Sequence, residues 1–118
     1  MFMKLKKDCI FCKIVNNEIN SKKVYEDDNF IAILDANPRV DGHTLIITKQ
    51  HFRNLLDMPS SIGNELLDAI KNVSFNIIKH KKADGINVIS NNESSAGQAV
   101  FHTHLHIIPR KKNDGLKI

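Results

Sequence analysis

The chain has 118 residues, 42% hydrophobic and 25% charged, which suits one compact domain (1–118) with one core and excludes a disordered or low-complexity polypeptide. Seventeen Lys and Arg against 13 Asp and Glu leave a formal charge of +4, with no Trp and one Tyr. The lysines are dispersed and never interleaved with aromatics, so they read as a solvated surface rather than a nucleic-acid platform, although phosphate affinity would use the same charges.

The start, MFMKLKKDCIF (1–11), is basic through Lys4, Lys6 and Lys7 but lacks the apolar run of a signal peptide. No stretch has the length of a membrane span, so neither a membrane nor a nucleic-acid partner is expected, and the expected location is cytoplasmic. DCIFCKIVNN (8–17) predicts a short helix, with Asp8 as N-cap and Ile10, Phe11, Ile14 and Val15 on its apolar side. Its CxxC, Cys9 and Cys12, is a metal half-site or a redox pair rather than a staple in a reducing compartment.

KKVYE (22–26) and NFIAILD (29–35) predict two strands, with Asp27 and Asp28 in the tight turn between them. NPRVDGH (37–43) is a loop and TLIITK (44–49) a third strand. A long helix follows, capped by Ser60 or Ser61 beside Pro59. Its apolar stripe is Ile62, Leu66, Ile70, Val73 and Ile77, and it ends by Lys81 and Lys82, cations that suit the carbonyl end. GINVISNN (85–92) is a fourth strand, ESSAG (93–97) a loop and AVFHTHLHII (99–108) a fifth strand. Three strands, one long helix and two strands do not alternate as βαβ units. The pattern predicts an α+β domain: a five-stranded antiparallel sheet, its first three strands a meander, with helices on one face.

Alternation along the fifth strand would put Phe101, Thr103, Leu105 and Ile107 under the helix, and Val100, His102, His104 and His106 on the other face. Successive histidines would then lie roughly 6.6 Å apart. Zn–N bonds are about 2.0–2.1 Å, so two neighbours can converge on a metal but a straight row of three converges poorly. Three readings compete: a three-histidine metal centre, a catalytic site that divides its labour, and a polar sheet face. In the second, one imidazole attacks and its neighbours hold a phosphate, helped by ESSAGQ (93–98), whose small residues let backbone N–H groups approach an anion.

HTHLHII (102–108) resembles the histidine triad motif of the HIT superfamily. CIFCKIVNNEI (9–19), YEDDNFIAILDANPRVDGHTLII (25–47), KQH (49–51) and NNESSAGQAVFHTHLHIIPR (91–110) fall in the family's order and spacing, which a lone HxHxH would not achieve. The pattern is closest to the small bacterial Hit/Hint-like branch of purine nucleoside phosphoramidases and nucleotide hydrolases.

The resemblance implies that His104 is a nucleophile toward the α-phosphorus of a purine nucleoside 5′-phosphoramidate or related nucleotide, forming a nucleotidyl-histidine. It implies that His106, Gln98 and the backbone around Gly97 and Ala99 stabilise the phosphate. Asn91 would contact the phosphate or ribose, and Asp35 the ribose hydroxyls; Asp35 is equally placed to cap the turn before Pro38. Ile10, Phe11, Ile14 and Ile33 would form the apolar slot for the base, and His43 would lie beside the phosphate. Cys9, Cys12, His51 and His102 match a structural zinc site of two thiolates and two imidazoles. The resemblance also implies a two-fold homodimer that joins two sheets, and no organic cofactor. Ala99 stands where some members carry a serine, so leaving-group preference does not carry over. Two further readings stay open: a nucleotide-binding scaffolding module with incidental hydrolysis, and a catalytic metal enzyme.

Overall fold

A computed structural model describes residues 6–118; of the basic start, Lys4 lies outside the described residues. In chain order it has α1 (Ile10–Val15), β1 (Lys23–Glu26), β2 (Phe30–Leu34), β3 (Thr44–Thr48), α2 (Gly63–Lys81), β4 (Gly85–Ile89) and β5 (His104–Arg110). The five strands make one antiparallel sheet in the order β1-β2-β3-β5-β4. The first three form the expected meander. β5 inserts between β3 and β4, which places the histidine strand inside the sheet rather than at its edge. The β1–β2 turn is set by Asp27, whose carboxylate accepts from the backbone N–H groups of Asn29 and Phe30.

Each face of the sheet carries its own helix, where helices on one face were expected. Phe30, Ala32, Ile46 and Ile107 lie under Ala69, Val73 and Ile77 of α2, with Ile62, Leu66 and Ile70 at the margin of the same cluster. On the other face Ile31, Ile33, Leu45 and Ile47 pack against Phe11, Cys12 and Ile14 of α1. The cause is legible in FIAIL and TLIIT. Both runs are apolar almost throughout, so both of their faces need cover.

Three local expectations are corrected. Cys9, not Asp8, is the N-cap of α1, and its thiol accepts the Cys12 N–H. Ser60 and Ser61 lie in a 3-10 turn (Ser60–Ile62), and α2 starts at Gly63 without a side-chain cap. The strand expected over 99–108 begins only at His104 and runs through Pro109 to Arg110. Before it, the chain bonds elsewhere: Thr103 N–H donates to Phe52 O at 2.7 Å and the Gln98 side-chain Nε2 donates to Arg53 O at 2.7 Å. Residues 99–103 are thereby drawn onto the 48–53 segment. Phe101 consequently lies at the surface with the Arg53 guanidinium 4.2 Å above its ring, not beneath the helix. Among the described residues no helix is long and apolar enough to cross a membrane.

Phe30 is wholly buried between β2 and α2. Phe30→Ala should lower stability by about 3–5 kcal/mol in a denaturant titration; a loss below about 1 kcal/mol would contradict this packing.

Candidate active site and metal centre

Because the chain leaves the ladder before His104, the three triad rings do not form a straight row. His102 belongs to the connecting segment, whereas His104 and His106 belong to β5, opposite Ile47 and Leu45 of β3. The His104 ring is buried edge-on against Phe11, at 4.9 Å between centroids, and against His106 at 5.3 Å. Its Nδ1–H donates to the His102 carbonyl at 2.7 Å. A neutral imidazole carries one N–H, so Nε2 keeps its lone pair. Burial holds the His104 pKa below the ordinary histidine value, against the opposing pull of that hydrogen bond and of Asp35. The ring is therefore neutral near pH 7 and held in one orientation, with Nε2 unprotonated.

The His106 tautomer follows from a chain of donors. Gly42, at φ +96°, lets the loop turn sharply into His43. The Arg39 backbone N–H donates to His43 Nδ1 at 3.0 Å. His43 must then be protonated at Nε2, which lies 2.9 Å from His106 Nδ1 and 3.4 Å from Asp35 Oδ2. His106 accepts at Nδ1 and so carries its own proton on Nε2, as a donor. Its pKa is depressed to about 4, first by burial and then by the neighbouring His104 and His43. Asp35, His43 and His106 bring three ligand atoms together, but a protonated His43 Nε2 has no lone pair for a metal. This cluster is a hydrogen-bond relay.

A second cluster has the opposite chemistry. Cys9 Sγ lies 3.3 Å and Cys12 Sγ 3.4 Å from His102 Nδ1. Cys12 Sγ lies 3.3 Å from His51 Nδ1, and the two Nδ1 atoms are 3.2 Å apart. His102 Nε2–H donates to Thr48 O at 2.7 Å, so its Nδ1 lone pair faces the thiols. Tetrahedral bonds of about 2.0–2.3 Å require donor atoms about 3.3–3.8 Å apart. The spacing and the donor set, two soft thiols and two imidazoles, fit a closed structural metal site. Without a metal, burial pushes the Cys12 thiol up to about 11 and His102 down to about 4.

Between α1 and the end of β5 lies a cavity of about 700 Å³. Ile10, Phe11, Ile14 and Ile33 form an apolar wall, with Leu45 and Val100 added. Asp35, Asn91, Gly97, Ala99, His104 and His106 form the polar side. Asp35 also caps its own turn, accepting the Asn37 N–H at 2.9 Å, while it lines the cavity.

Two expected contacts do not reach the cavity. His43 stands behind His106. Gln98 is buried with its whole amide engaged: Oε1 accepts from Glu93 N–H and Asn54 Nδ2, and Nε2 donates to Arg53 O and Val100 O. The loop amides are also largely occupied, since Gly97 N–H donates to Ser94 O and Gln98 N–H to Glu93 O. Of the Gly97–Ala99 amides, the Ala99 N–H alone has no acceptor among the described residues. Glu93 itself has φ 78° and ψ 159°, a region occupied almost only by glycine and costing other residues about 1–3 kcal/mol. The parts played by the Arg39 N–H and the Thr48 carbonyl have no side-chain signature in the sequence. The Asp-Gly turn before His43 is the only hint of the first.

Comparison with known proteins agrees with this geometry. The HIT domain family model matches residues 16–113. The adenylylsulfatase HINT3 of Arabidopsis thaliana is 45% identical over 112 residues, which cover 95% of this chain but 57% of that protein. The crystal structure of SMU.412c from Streptococcus mutans UA159 superposes with a TM-score of 0.90 at 46% identity, covering 96% of this chain and 72% of that one. A Zn-bound histidine triad family protein from Mycobacterium smegmatis superposes at 0.89 with 37% identity, covering 94% and 81%. The HTHLHII motif entering β5, the sheet order and these matches together place the chain in the HIT family.

Proposed function

We propose that this chain, as a single HIT domain, hydrolyses purine nucleoside 5′-phosphoramidates or related nucleotides at the α-phosphorus through a nucleotidyl-histidine. The observation that carries the reading is the His104 ring, open to the cavity and oriented through Nδ1 by the His102 carbonyl. His104 Nε2 attacks phosphorus, the bond from phosphorus to the leaving group breaks, and the departing amine takes a proton. Water then cleaves the phosphorus–nitrogen bond, releasing the nucleoside monophosphate and restoring the ring. The His106 Nε2–H and the Ala99 N–H stabilise the charge that grows on the phosphoryl oxygens. Ile10, Phe11, Ile14 and Ile33 sandwich the base, and Asp35 accepts from the ribose hydroxyls. Asn91 holds the phosphate or ribose. Homology to an adenylylsulfatase supports a nucleotide bearing an α-phosphate leaving group.

Cys9, Cys12, His51 and His102 would hold a structural zinc, in keeping with the Zn-bound relative. When bound it supplies a crosslink between α1 and the triad segment and no chemistry on substrate. Two copies would join their sheets as a homodimer through the free edge of β4, where Val88 is exposed.

Three outcomes are expected. His104→Ala should abolish turnover of adenosine 5′-phosphoramidate, a fall of at least about 10³-fold, while AMP binding by calorimetry changes little. A mutant that still turns over removes His104 from the chemistry, and a wild type that binds AMP tightly without turnover favours the scaffolding reading. Cys9→Ser/Cys12→Ser should lose the zinc that elemental analysis finds in the wild type; retained metal would refute the ligand set.

The third outcome concerns pH. His106 is near 4 when folded and about 6.5 when unfolded, so the unfolded chain binds its proton first as pH falls. Its contribution to stability is complete above about 6.5 and is lost as pH falls toward 4. Metal-free protein should lose about 1–2 kcal/mol to this ring across that window, a figure reduced because the ring is partly open to solvent. Urea titrations of wild type and His106→Asn should show a shallower acid slope in the mutant; equal slopes would contradict the assignment.

A further inference from the structure

We propose that Glu93 is a positioning residue: clamped in a glycine-type backbone conformation by Arg53, Asn54 and Gln98, it aims the Ala99 N–H at the phosphate. The inference rests on the function proposed above and assigns the control of its oxyanion donor. Glu93 opens the loop that lines the cavity, and its φ of 78° with ψ of 159° is a conformation in which a Cβ is strained. Such a residue persists only when its surroundings over-determine it. Here they do so through every polar group it has.

Arg53 grips the carboxylate with Nε and Nη2, both at 2.8 Å, and Asn54 Nδ2 adds a third contact at 2.7 Å. The Glu93 N–H donates to Gln98 Oε1 at 2.8 Å. The Glu93 carbonyl accepts from the Ala96 and Gln98 N–H groups, each at 3.1 Å. The direction of that carbonyl, fixed by the strained backbone, sets the Gln98 peptide. The Gln98 peptide in turn sets the next amide, Ala99, on the cavity wall. Neither Glu93 nor Arg53 touches the cavity. The clamp therefore acts through the loop and not on the substrate. Glycine at this position would hold the same conformation without a clamp, and any other residue would need it.

The experiment compares wild type, Glu93→Ala, Glu93→Gly, Arg53→Met and the double variant Arg53→Met/Glu93→Gly. Steady-state kcat and KM are measured on adenosine 5′-phosphoramidate, and the Ala99 amide is followed by NMR during AMP titration. Glu93→Ala and Arg53→Met keep the strain and lose the clamp, so kcat should fall about tenfold or more while KM moves less than about threefold. Glu93→Gly and the double variant should stay within about threefold of wild type in kcat. An ion pair that merely stabilised the fold would give the reverse order, with Gly as impaired as Ala or worse, and that result overturns the proposal. Unchanged kcat in Glu93→Ala overturns it as well. If the wild type does not turn over the substrate, the proposed function fails by itself and the NMR arm still decides. The AMP-induced Ala99 shift should survive in wild type, Glu93→Gly and the double variant, and vanish in Glu93→Ala and Arg53→Met. Equal shifts in all five proteins, or none in the wild type, overturn the positioning role.

Discussion

The hydrogen bond from His104 Nδ1–H to the His102 carbonyl, 2.7 Å long, is the contact on which the rest of the site depends. It exists because the chain is not yet a strand at His102. Had the ladder begun at Ala99, all three rings would share one pleated face and the carbonyl of His102 would lie in the sheet. The segment instead bonds to residues 48–53, which sends the His102 ring toward Cys9, Cys12 and His51 and leaves its carbonyl to orient the neighbouring ring. One local departure from regular structure thus separates the imidazole that clusters with the thiols from the one that lines the cavity.

Helix α1 links the two halves of the site. Its cysteines face His51 and His102, and its other side offers Ile10, Phe11 and Ile14 to the cavity. Phe11 touches both worlds, edge-on to His102 at 5.8 Å and to His104 at 4.9 Å. A six-residue helix has little stability of its own. Packing on Ile31, Ile33, Leu45 and Ile47, and a metal crosslink when present, supply what its length does not. Burial also keeps the neighbouring rings neutral, since desolvation is the leading cause of the lowered pKa at His43, His104 and His106.

Much of this was legible in the residues. The period-four stripe on α2, the Asp27 turn and the apolar runs of β2 and β3 are local patterns with local causes, and they appear where expected. The four residues of the thiol–imidazole cluster and the apolar wall of the cavity were named from the resemblance to the HIT superfamily, and the structure brings each group together. The break at 99–103 was not legible, because HxHxH alternates as a strand does and the competing bonds come from a segment some fifty residues earlier. Gln98 shows the same limit. Its place at the end of the ESSAGQ loop is evident in the sequence, but the four partners that turn its amide inward are tertiary. Backbone donors such as the Arg39 N–H, and the strain at Glu93, leave no trace in residue identity.

The most direct test of the account is mass spectrometry of acid-labile adducts after mixing the protein with a slowly turned-over purine nucleotide. A nucleotidyl group mapped to His104 is the predicted result. An adduct on His106 or His43, or turnover with no protein-bound nucleotide at any time point, would contradict the division of labour among the three imidazoles.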